Sequence, residues 1–398
     1  MPDQLDSNLS AEWLNLADVI MALQTSIHAA NQSMRDASQS QGQGVHYVIN
    51  ELNIALAAHV VTENDVAKLR FPPNFMDPTA SVPDASLSRV TLNLRPVPIL
   101  DDGTSTPPQP APWISVSAPG PLDVRAITRQ KDPQGLMFAV GDKGLLLLSK
   151  NQGQMWEPIE PPAGATLHAL WGGVPGNPFS YAAGDGGTIR RAPWGSTAWE
   201  YLQGNTGDSL RGIHGSADGK VVVVVGDNGA VRFSFDRGNS WFVGDTGTNL
   251  RLYAVGGLGT PYLYAVGEQG MIFRSKDLGK SWEAVDSGTG ETLHGVWESD
   301  NHVVHAVGAA GTILMSKDNG ASWLPLPSGT DEDLHAIRGR LPGALYAVGT
   351  GGTLLRSTDG ETWSALQSGT TNELLAIAGD GGAPYCVAGA QGTILRGG

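Results

Sequence analysis

The sequence is nearly devoid of cysteine: Cys386 is the one thiol among 398 residues, so no disulfide can form within the chain. It also lacks an apolar run of the roughly 20 residues that a membrane-spanning helix needs. The N-terminus, Met-Pro-Asp-Gln-Leu-Asp, has neither the basic leader nor the short apolar core of a secretion signal. These absences predict a cytoplasmic protein that does not contact a membrane.

Basic residues are scarce as well. Lys and Arg number 25 against 39 Asp and Glu, which gives a formal net charge of −14 at pH 7. The Lys and Arg residues do not form a cluster in this acidic sequence, so nucleic acid is not an expected partner.

Signatures of catalytic and metal centres are missing too. There is no His-Glu-x-x-His motif, and no Gly-x-Ser-x-Gly nucleophile turn outside the ordinary repeat turns. The nine histidines do not show close metal-ligand spacing. The sequence therefore predicts no catalytic residue, no metal and no cofactor, and it favours a non-catalytic binding or scaffold protein over an enzyme.

Glycine, in contrast, is abundant and periodic. Gly-x-x-Gly turns recur about every forty residues, a period typical of four-stranded propeller blades. The first glycines of these turns are Gly141, Gly184, Gly226, Gly267, Gly308, Gly349 and Gly389. A series of tryptophans follows the same period: Trp113, Trp156, Trp199, Trp241, Trp282, Trp323 and Trp363. The predicted fold class is mainly β, a seven-bladed β-propeller.

The two ends of the repeat region are expected to share one blade. The seventh unit shows only three strand patterns before Gly398, and the missing fourth pattern, with Trp113, lies at residues 112–117. We predict that residues 112–117 complete the blade built by residues 374–396. Such closure removes the exposed sheet edges of an open array.

The turn between the third and fourth strands carries Ser-x-Asp-x-Gly-x-x-Trp, the Asp-box, which is complete at residues 234–241, 275–282 and 316–323. Asp is expected to accept hydrogen bonds from amides of its own turn, while Trp covers the hairpin. The motif also occurs in sialidases, so a glycan-binding or glycoside-hydrolysing Asp-box protein is the alternative function. Intact copies at symmetric positions favour a structural clamp, because a catalytic site needs one asymmetric constellation.

The N-terminal residues follow a helical period instead of the blade period. Leu16, Val19, Ile20, Leu23 and Ile27 predict an amphipathic helix that begins near Ser10 and ends at about Ala37. Alternating residues then predict antiparallel strands at residues 45–49, 52–56 and 90–94. The predicted domains are a small α+β adaptor domain over residues 1–100, a linker over 101–111, and the propeller over 112–398.

The repeated motifs Leu-His-Ala/Gly-Ile, Ala-Val-Gly-x-x-Gly-Thr-Ile-Leu-Arg-Ser and Ser-Gly-Thr resemble the photosystem II stability/assembly factor-like propellers, a subgroup of the Asp-box (BNR) repeat superfamily. The resemblance covers residues 112–398 and implies the propeller fold.

The N-terminal region resembles the second type of trypsin-co-occurring domain, through residues 16–20 with Leu23 and through residues 88–97. That resemblance implies an adaptor or oligomerisation module, with a trypsin-like peptidase system as a partner and a bacterial defence or conflict system as the setting.

One residue in each first strand is predicted to lie close to the propeller axis, directly after the leading apolar residue. We call these residues the axial ring: Arg125, His168, Arg211, Tyr253, His294, His335 and Leu375. Because most of them are His or Arg, the ring is a candidate site for an anionic group such as a C-terminal carboxylate or an acidic peptide of another protein. The alternative is that these are channel-lining residues bonded to water and neighbouring strands.

The second-to-third turns add an asymmetry. Acidic residues occupy one matching position in units one to four: Asp142, Asp185, Asp227 and Glu268. They are candidate contacts for a basic partner that docks off-centre. The alternative is ordinary turn chemistry, because Asp-Gly and Asp-Asn suit tight hairpins.

Overall fold

The structure is a computed structural model. It describes the strands Leu14–Asn15, Leu52–Glu63, Val66–Arg70 and Ser88–Leu94, and then residues 112–397 except 117–118, 130–134, 161–163, 173–176, 194, 258–261, 300–301, 342 and 380–383. The chain divides into two compact units, Met1–Gln109 and Pro110–Gly398. None of the helices in the described ranges is long and apolar enough to cross a bilayer.

The described strands of the first unit form one antiparallel sheet. Leu52–Glu63 lies in its middle, between Val66–Arg70 and Ser88–Leu94, and Leu14–Asn15 pairs with the outer edge of Val66–Arg70. The predicted helix therefore cannot include Leu14–Asn15, because their backbone pairs with a strand instead of with the next helical turn. The rest of that predicted helix, residues 10–13 and 16–37, and the predicted strand at residues 45–49 lie outside the described residues.

The second unit is a seven-bladed β-propeller, as the repeats predict, and each blade is an antiparallel four-stranded sheet. The first strands of the blades are Val124–Arg129, Leu167–Trp171, Leu210–Gly215, Leu252–Gly256, Leu293–Glu298, Leu334–Arg340 and Leu374–Ala378. The second strands are Met137–Gly141, Phe179–Gly184, Val222–Gly226, Leu263–Gly267, Val304–Gly308, Ala344–Gly349 and Tyr385–Gly389. These second strands are almost completely buried, because each blade packs between two neighbours.

The outer half of each blade follows the same order. The third strands are Leu146–Ser149, Thr188–Pro193, Val231–Ser234, Ile272–Ser275, Ile313–Ser316, Leu354–Ser357 and Ile394–Gly397. The fourth strands are Glu157–Pro158, Glu200–Gln203, Phe242–Gly244, Glu283–Val285, Leu324–Leu326, Ser364–Ala365 and Ile114–Val116. One-turn 3₁₀ segments join second to third strands at Asp142–Gly144, Asp185–Gly187, Asp227–Gly229, Glu268–Gly270, Thr350–Gly352 and Ala390–Gly392.

The Gly-x-x-Gly turns bring the start of each first strand onto the second-to-third turn. A Cβ at Gly141 would collide with the carbonyl oxygen of Asp123, the residue just before the first strand. Gly144 has φ +73°, in the left-handed region that favours glycine. The first glycine thus permits a close approach between two chain segments, and the second closes the turn.

The ring closes through the N-terminal strand of the propeller, as predicted. Ile114–Val116 pairs antiparallel with Ile394–Gly397, and Leu395 lies opposite Ser115. Trp113 packs edge-on against Tyr346 of the neighbouring sixth blade, with ring centroids 5.8 Å apart. The seventh blade is therefore held together by both ends of the propeller sequence.

The Asp-boxes have the clamp geometry that the sequence predicts. In the box of the fifth blade, Asp318 Oδ1 accepts hydrogen bonds from Ser316 Oγ at 2.7 Å and from the Ser322 amide at 2.9 Å. Its other carboxylate oxygen accepts from Ser322 Oγ at 2.6 Å. Trp323 is buried and packs against Tyr264 of the fourth blade. Each such box joins a hairpin of one blade to the core of its neighbour.

We expect Asp318→Ala to lower the free energy of unfolding by about 1 kcal/mol, because exposed hydrogen bonds exchange with water and contribute little each. Hydrogen bonds, first of all from Ser322 Oγ, lower the pKa of Asp318 to about 2. The carboxylate therefore stabilises the folded state above the ordinary Asp pKa, and this contribution disappears as the pH falls from about 4 to 2. Denaturant melts of the wild type and the variant should converge over that interval, and a constant gap would contradict the clamp role.

Candidate ligand pocket at the propeller axis

All seven residues of the axial ring meet in one pocket at an end of the propeller axis. The pocket has a volume of about 310 Å³ and is lined by Arg125, His168, Arg211, Tyr253, His294, His335, Leu375 and Glu373. The position directly after the leading apolar residue of each first strand thus correctly predicted which side chains converge. That these residues bind a ligand stays a prediction.

A β-bulge at the start of every first strand directs the ring residue into the pocket. In the first blade, Val124 pairs with Gly141, and the next pair is Ala126 with Val140, so Arg125 has no partner in the ladder. The same register shift occurs in the other six blades. A bulge bends its strand and re-aims the extra side chain, which explains why one residue per blade reaches the axis.

In the first three blades, the ring residue contacts the acidic residue of the second-to-third turn. Blades one and three supply an arginine, and blade two supplies a histidine. Arg211 makes a two-pronged ion pair with Asp227, with both N–O distances 3.0 Å. Arg125 donates from Nε to Asp142 Oδ1, and its Nη2 lies 3.4 Å from Asp123 Oδ2. Because guanidinium groups retain donors beyond those used in these pairs, this half of the ring can still bind an anionic group.

His168 lies between a carboxylate and a guanidinium. Its Nε2 is 2.6 Å from Asp185 Oδ1 and 3.1 Å from Arg211 Nη1. Burial lowers the pKa of His168, and the hydrogen bond to Asp185 opposes that shift without cancelling it. His168 is therefore mainly neutral at pH 7 and serves as a hydrogen-bonding group more than as a cation.

The fourth to sixth blades form an aromatic wall. The rings of Tyr253 and His294 are 5.0 Å apart, and those of His294 and His335 are 5.2 Å apart. Burial, reinforced by His335, lowers the pKa of His294 to about 4. Desolvation therefore keeps the His294 imidazole neutral at pH 7, and His294 contributes no positive charge to the ring.

Sequence reasoning missed two residues of this region. Arg251 precedes the first strand of the fourth blade; its Nε lies 2.6 Å from Asp227 Oδ1, and its Nη1 lies 3.2 Å from Tyr253 Oη. Glu373 precedes the seventh first strand and has Oε1 2.8 Å from His335 Nε2. In the sequence, both residues are charged and stand immediately before the leading apolar residue of a first strand. The bulge and the glycine turn bring this position to the edge of the pocket.

The four acidic turn residues already contact basic groups of this chain. Asp142 pairs with Arg125, and Asp185 contacts His168. Asp227 binds both Arg211 and Arg251, and Glu268 Oε2 accepts a hydrogen bond from the Arg251 amide at 3.0 Å. These contacts orient the ring cations. A basic partner at these carboxylates stays a prediction, and it would have to compete with them.

The Asp-boxes lie at the other end of the strands. In each antiparallel blade the ring residue and the second-to-third turn share one end, whereas the third-to-fourth turn is at the opposite end. Lys317 marks that opposite face, where its Nζ pairs with Glu361 Oε1 at 2.6 Å and both side chains are more than half exposed. The clamps are therefore spatially separate from the pocket.

A comparison with protein-family models identifies one family. The model of the photosynthesis system II assembly factor YCF48 matches residues 134–356, which is more than half of the chain. A search of curated proteins gave no significant match.

Solved structures show the same fold at low sequence identity. YCF48 bound to a D1 peptide is 19% identical with a TM-score of 0.60, and the match covers 72% of this chain and 96% of that one. YCF48 from Cyanidioschyzon merolae is 18% identical with a TM-score of 0.58, covering 72% and 98%. A catalytically inactive virginiamycin B lyase from Staphylococcus aureus, solved with quinupristin, is 14% identical with a TM-score of 0.60, covering 72% and 99%.

Proposed function

Because the chain belongs to the YCF48 family of photosynthesis system II assembly factors, we propose that its propeller is a non-catalytic platform that binds a segment of another protein. The binding site is the axial pocket, and the recognised group is anionic. This assignment depends on one observation: every blade contributes its bulged residue to the same pocket, and three neighbouring blades contribute Arg125, His168 and Arg211.

The chemistry of this half of the ring suits a carboxylate. The guanidinium groups of Arg125 and Arg211 lie on either side of the neutral His168 imidazole. Each of the three side chains contacts an acidic residue of a second-to-third turn. A carboxylate in the pocket would accept charge-assisted hydrogen bonds from groups that are already positioned. A propeller of the same family binds a D1 peptide, which supports a peptide as the ligand class.

The proposal extends to the N-terminal unit, which we assign as an adaptor or oligomerisation module in a cytoplasmic bacterial defence or conflict system, with a trypsin-like peptidase system as the partner. This part rests on the resemblance of residues 16–23 and 88–97 to a trypsin-co-occurring domain. A trypsin-like peptidase that co-purifies with the full chain, and is lost on deleting residues 1–100, would support it. A stable complex with the propeller alone would contradict it.

The fold alone does not show whether this propeller is an enzyme, since a virginiamycin B lyase has a similar fold. We therefore include the absence of catalytic activity in the proposal. The alternative, a glycoside-hydrolysing or glycan-binding protein, would draw on the Asp-boxes. In this chain their carboxylates are engaged within their own turns: Asp236 Oδ2 accepts from Ser240 Oγ at 2.6 Å, and Asp277 Oδ2 from Ser281 Oγ at 2.7 Å. We expect no turnover of fluorogenic glycosides, sialosides included. Turnover that is lost on changing one axial-ring residue would overturn this expectation.

The binding role is tested on an array of random hexapeptides, each displayed once with a free C-terminal carboxylate and once as the amide. We expect the full chain to retain a subset of peptides only in the free-acid form, because the amide lacks the charge that the guanidinium groups recognise. Arg211→Ala should lose that subset, and Lys317→Ala on the opposite face should keep it. Equal retention of acids and amides, or loss with Lys317→Ala alone, would contradict the proposal.

A further inference from the structure

The axial ring has two chemically different halves. Blades one to three supply the anion-binding half described above. Blades four to seven supply an aromatic and aliphatic half: Tyr253, His294, His335 and Leu375. We propose that this second half is a subsite for an aromatic or large aliphatic side chain, so that the pocket selects the last residue of a peptide with an apolar C-terminal side chain. The inference rests on the proposed binding function and specifies its ligand.

The rings of the second half form a continuous wall. Tyr253 meets His294 at an interplanar angle of 72°, and His294 meets His335 at 56°. Their centroid distances of 5.0 and 5.2 Å fall in the range that aromatic pairs prefer. All three rings are partly exposed to the pocket, so a further aromatic ring or branched aliphatic group can pack on them.

The centre of this wall carries no charge at neutral pH. His294 faces Tyr253 of the fourth blade and His335 of the sixth, with Asp333 nearby in the preceding loop. Burial is the main cause that lowers the pKa of His294, and the Coulombic effect of Asp333 opposes the shift only weakly. A neutral imidazole presents a flat, mostly apolar face, which suits a side chain that leaves water.

The order of the blades places the two halves side by side. Arg211 on the third blade is followed by Tyr253 on the fourth, and Arg251 links them by contacting Asp227 and Tyr253 Oη. When the terminal carboxylate of a peptide binds Arg211, the side chain of that terminal residue therefore lies beside Tyr253. The volume of about 310 Å³ is at the low end for ligand pockets, which suits one terminal residue better than an extended strand.

An acidic terminal residue fits less well. Its side chain would enter the aromatic and aliphatic half and would approach the Glu373 carboxylate, whose Oε1 lies 2.8 Å from His335 Nε2. Desolvating a carboxylate without a cation is costly. The two halves together thus favour one negative charge, at the backbone terminus, and an apolar side chain.

The test measures the affinity of the full chain for three capped peptides with free carboxylates, Ac-Gly-Gly-Phe, Ac-Gly-Gly-Gly and Ac-Gly-Gly-Asp, by calorimetry. We expect the Phe peptide to bind about tenfold or more tightly than the Gly peptide, from the apolar area that its ring buries. The Asp peptide should bind no better than the Gly peptide. Tyr253→Ala should abolish the preference for Phe, and Tyr253→Phe, which keeps the ring, should retain it.

Each outcome supports or contradicts a defined claim, once melting temperatures have shown that the variants fold. Equal affinity for the three acids, with no binding of their amides, contradicts the apolar subsite and leaves the proposed function intact. A preference for Phe that survives both Tyr253→Ala and His294→Ala contradicts its location. Failure of all three acids to bind contradicts both the subsite and the carboxylate-binding function.

Discussion

Deleting residues 1–118 is expected to abolish the cooperative unfolding of the propeller, whereas deleting residues 1–108 should leave it folded. The longer deletion removes Ile114–Val116, the fourth strand of the seventh blade, together with Trp113. Loss of a fully buried large aromatic costs about 3–5 kcal/mol, so loss of the partly buried Trp113 costs less than that, and the lost pairing along Ile394–Gly397 adds to it. This is a large share of the roughly 5–15 kcal/mol that stabilises a typical domain.

The measurement is a pair of thermal melts followed by circular dichroism and by tryptophan fluorescence. The shorter deletion is the matched control, because it removes the N-terminal unit and retains the closing strand. Equal melting temperatures for the two truncations would show that the closing strand does not stabilise the ring.

Arg211→Ala is expected to weaken binding of a carboxylate peptide by about tenfold to a hundredfold, because charge-assisted hydrogen bonds contribute about 1.5–3 kcal/mol each. The fold should tolerate the change, since Asp227 keeps its second partner, Arg251, at 2.6 Å. Calorimetry with Ac-Gly-Gly-Phe provides the affinities.

Lys317→Ala is the control for this comparison. It removes an exposed ion pair with Glu361 on the Asp-box face, and such pairs contribute little to stability. If Lys317→Ala lost affinity and Arg211→Ala did not, the ligand would lie on the opposite face and the pocket assignment would be wrong.

Much of the fold was predictable because the repeats encode it redundantly. Glycine turns, tryptophans and Asp-boxes recur with one period, so an error in a single unit does not change the architecture. The axial ring was predictable for the same reason, since each first strand begins with one leading apolar residue followed by the residue that faces the axis.

The chemistry of the pocket was less predictable because it depends on contacts between blades. The position of Arg251 in sequence does not show that it bridges Asp227 and Tyr253. Likewise, the sequence does not show how far each ring histidine is removed from water, and only packing reveals that burial lowers the pKa of both His168 and His294. The sequence also does not show that acidic turn residues such as Asp142 and Asp227 pair with arginines of this chain, and their role as contacts for a basic partner stays a prediction.

Histidine NMR tests the central claim, that the ligand occupies the axial pocket, most directly. The full chain is labelled at imidazole Cε1 and titrated with Ac-Gly-Gly-Phe as the free acid. His168, His294 and His335 line the pocket, whereas His305, whose Nε2 hydrogen-bonds the Gly360 carbonyl at 2.8 Å, reports on the Asp-box end. We expect the three pocket resonances to shift with one common affinity while His305 stays unchanged. Shifts at His305 with unchanged pocket histidines would contradict the assignment.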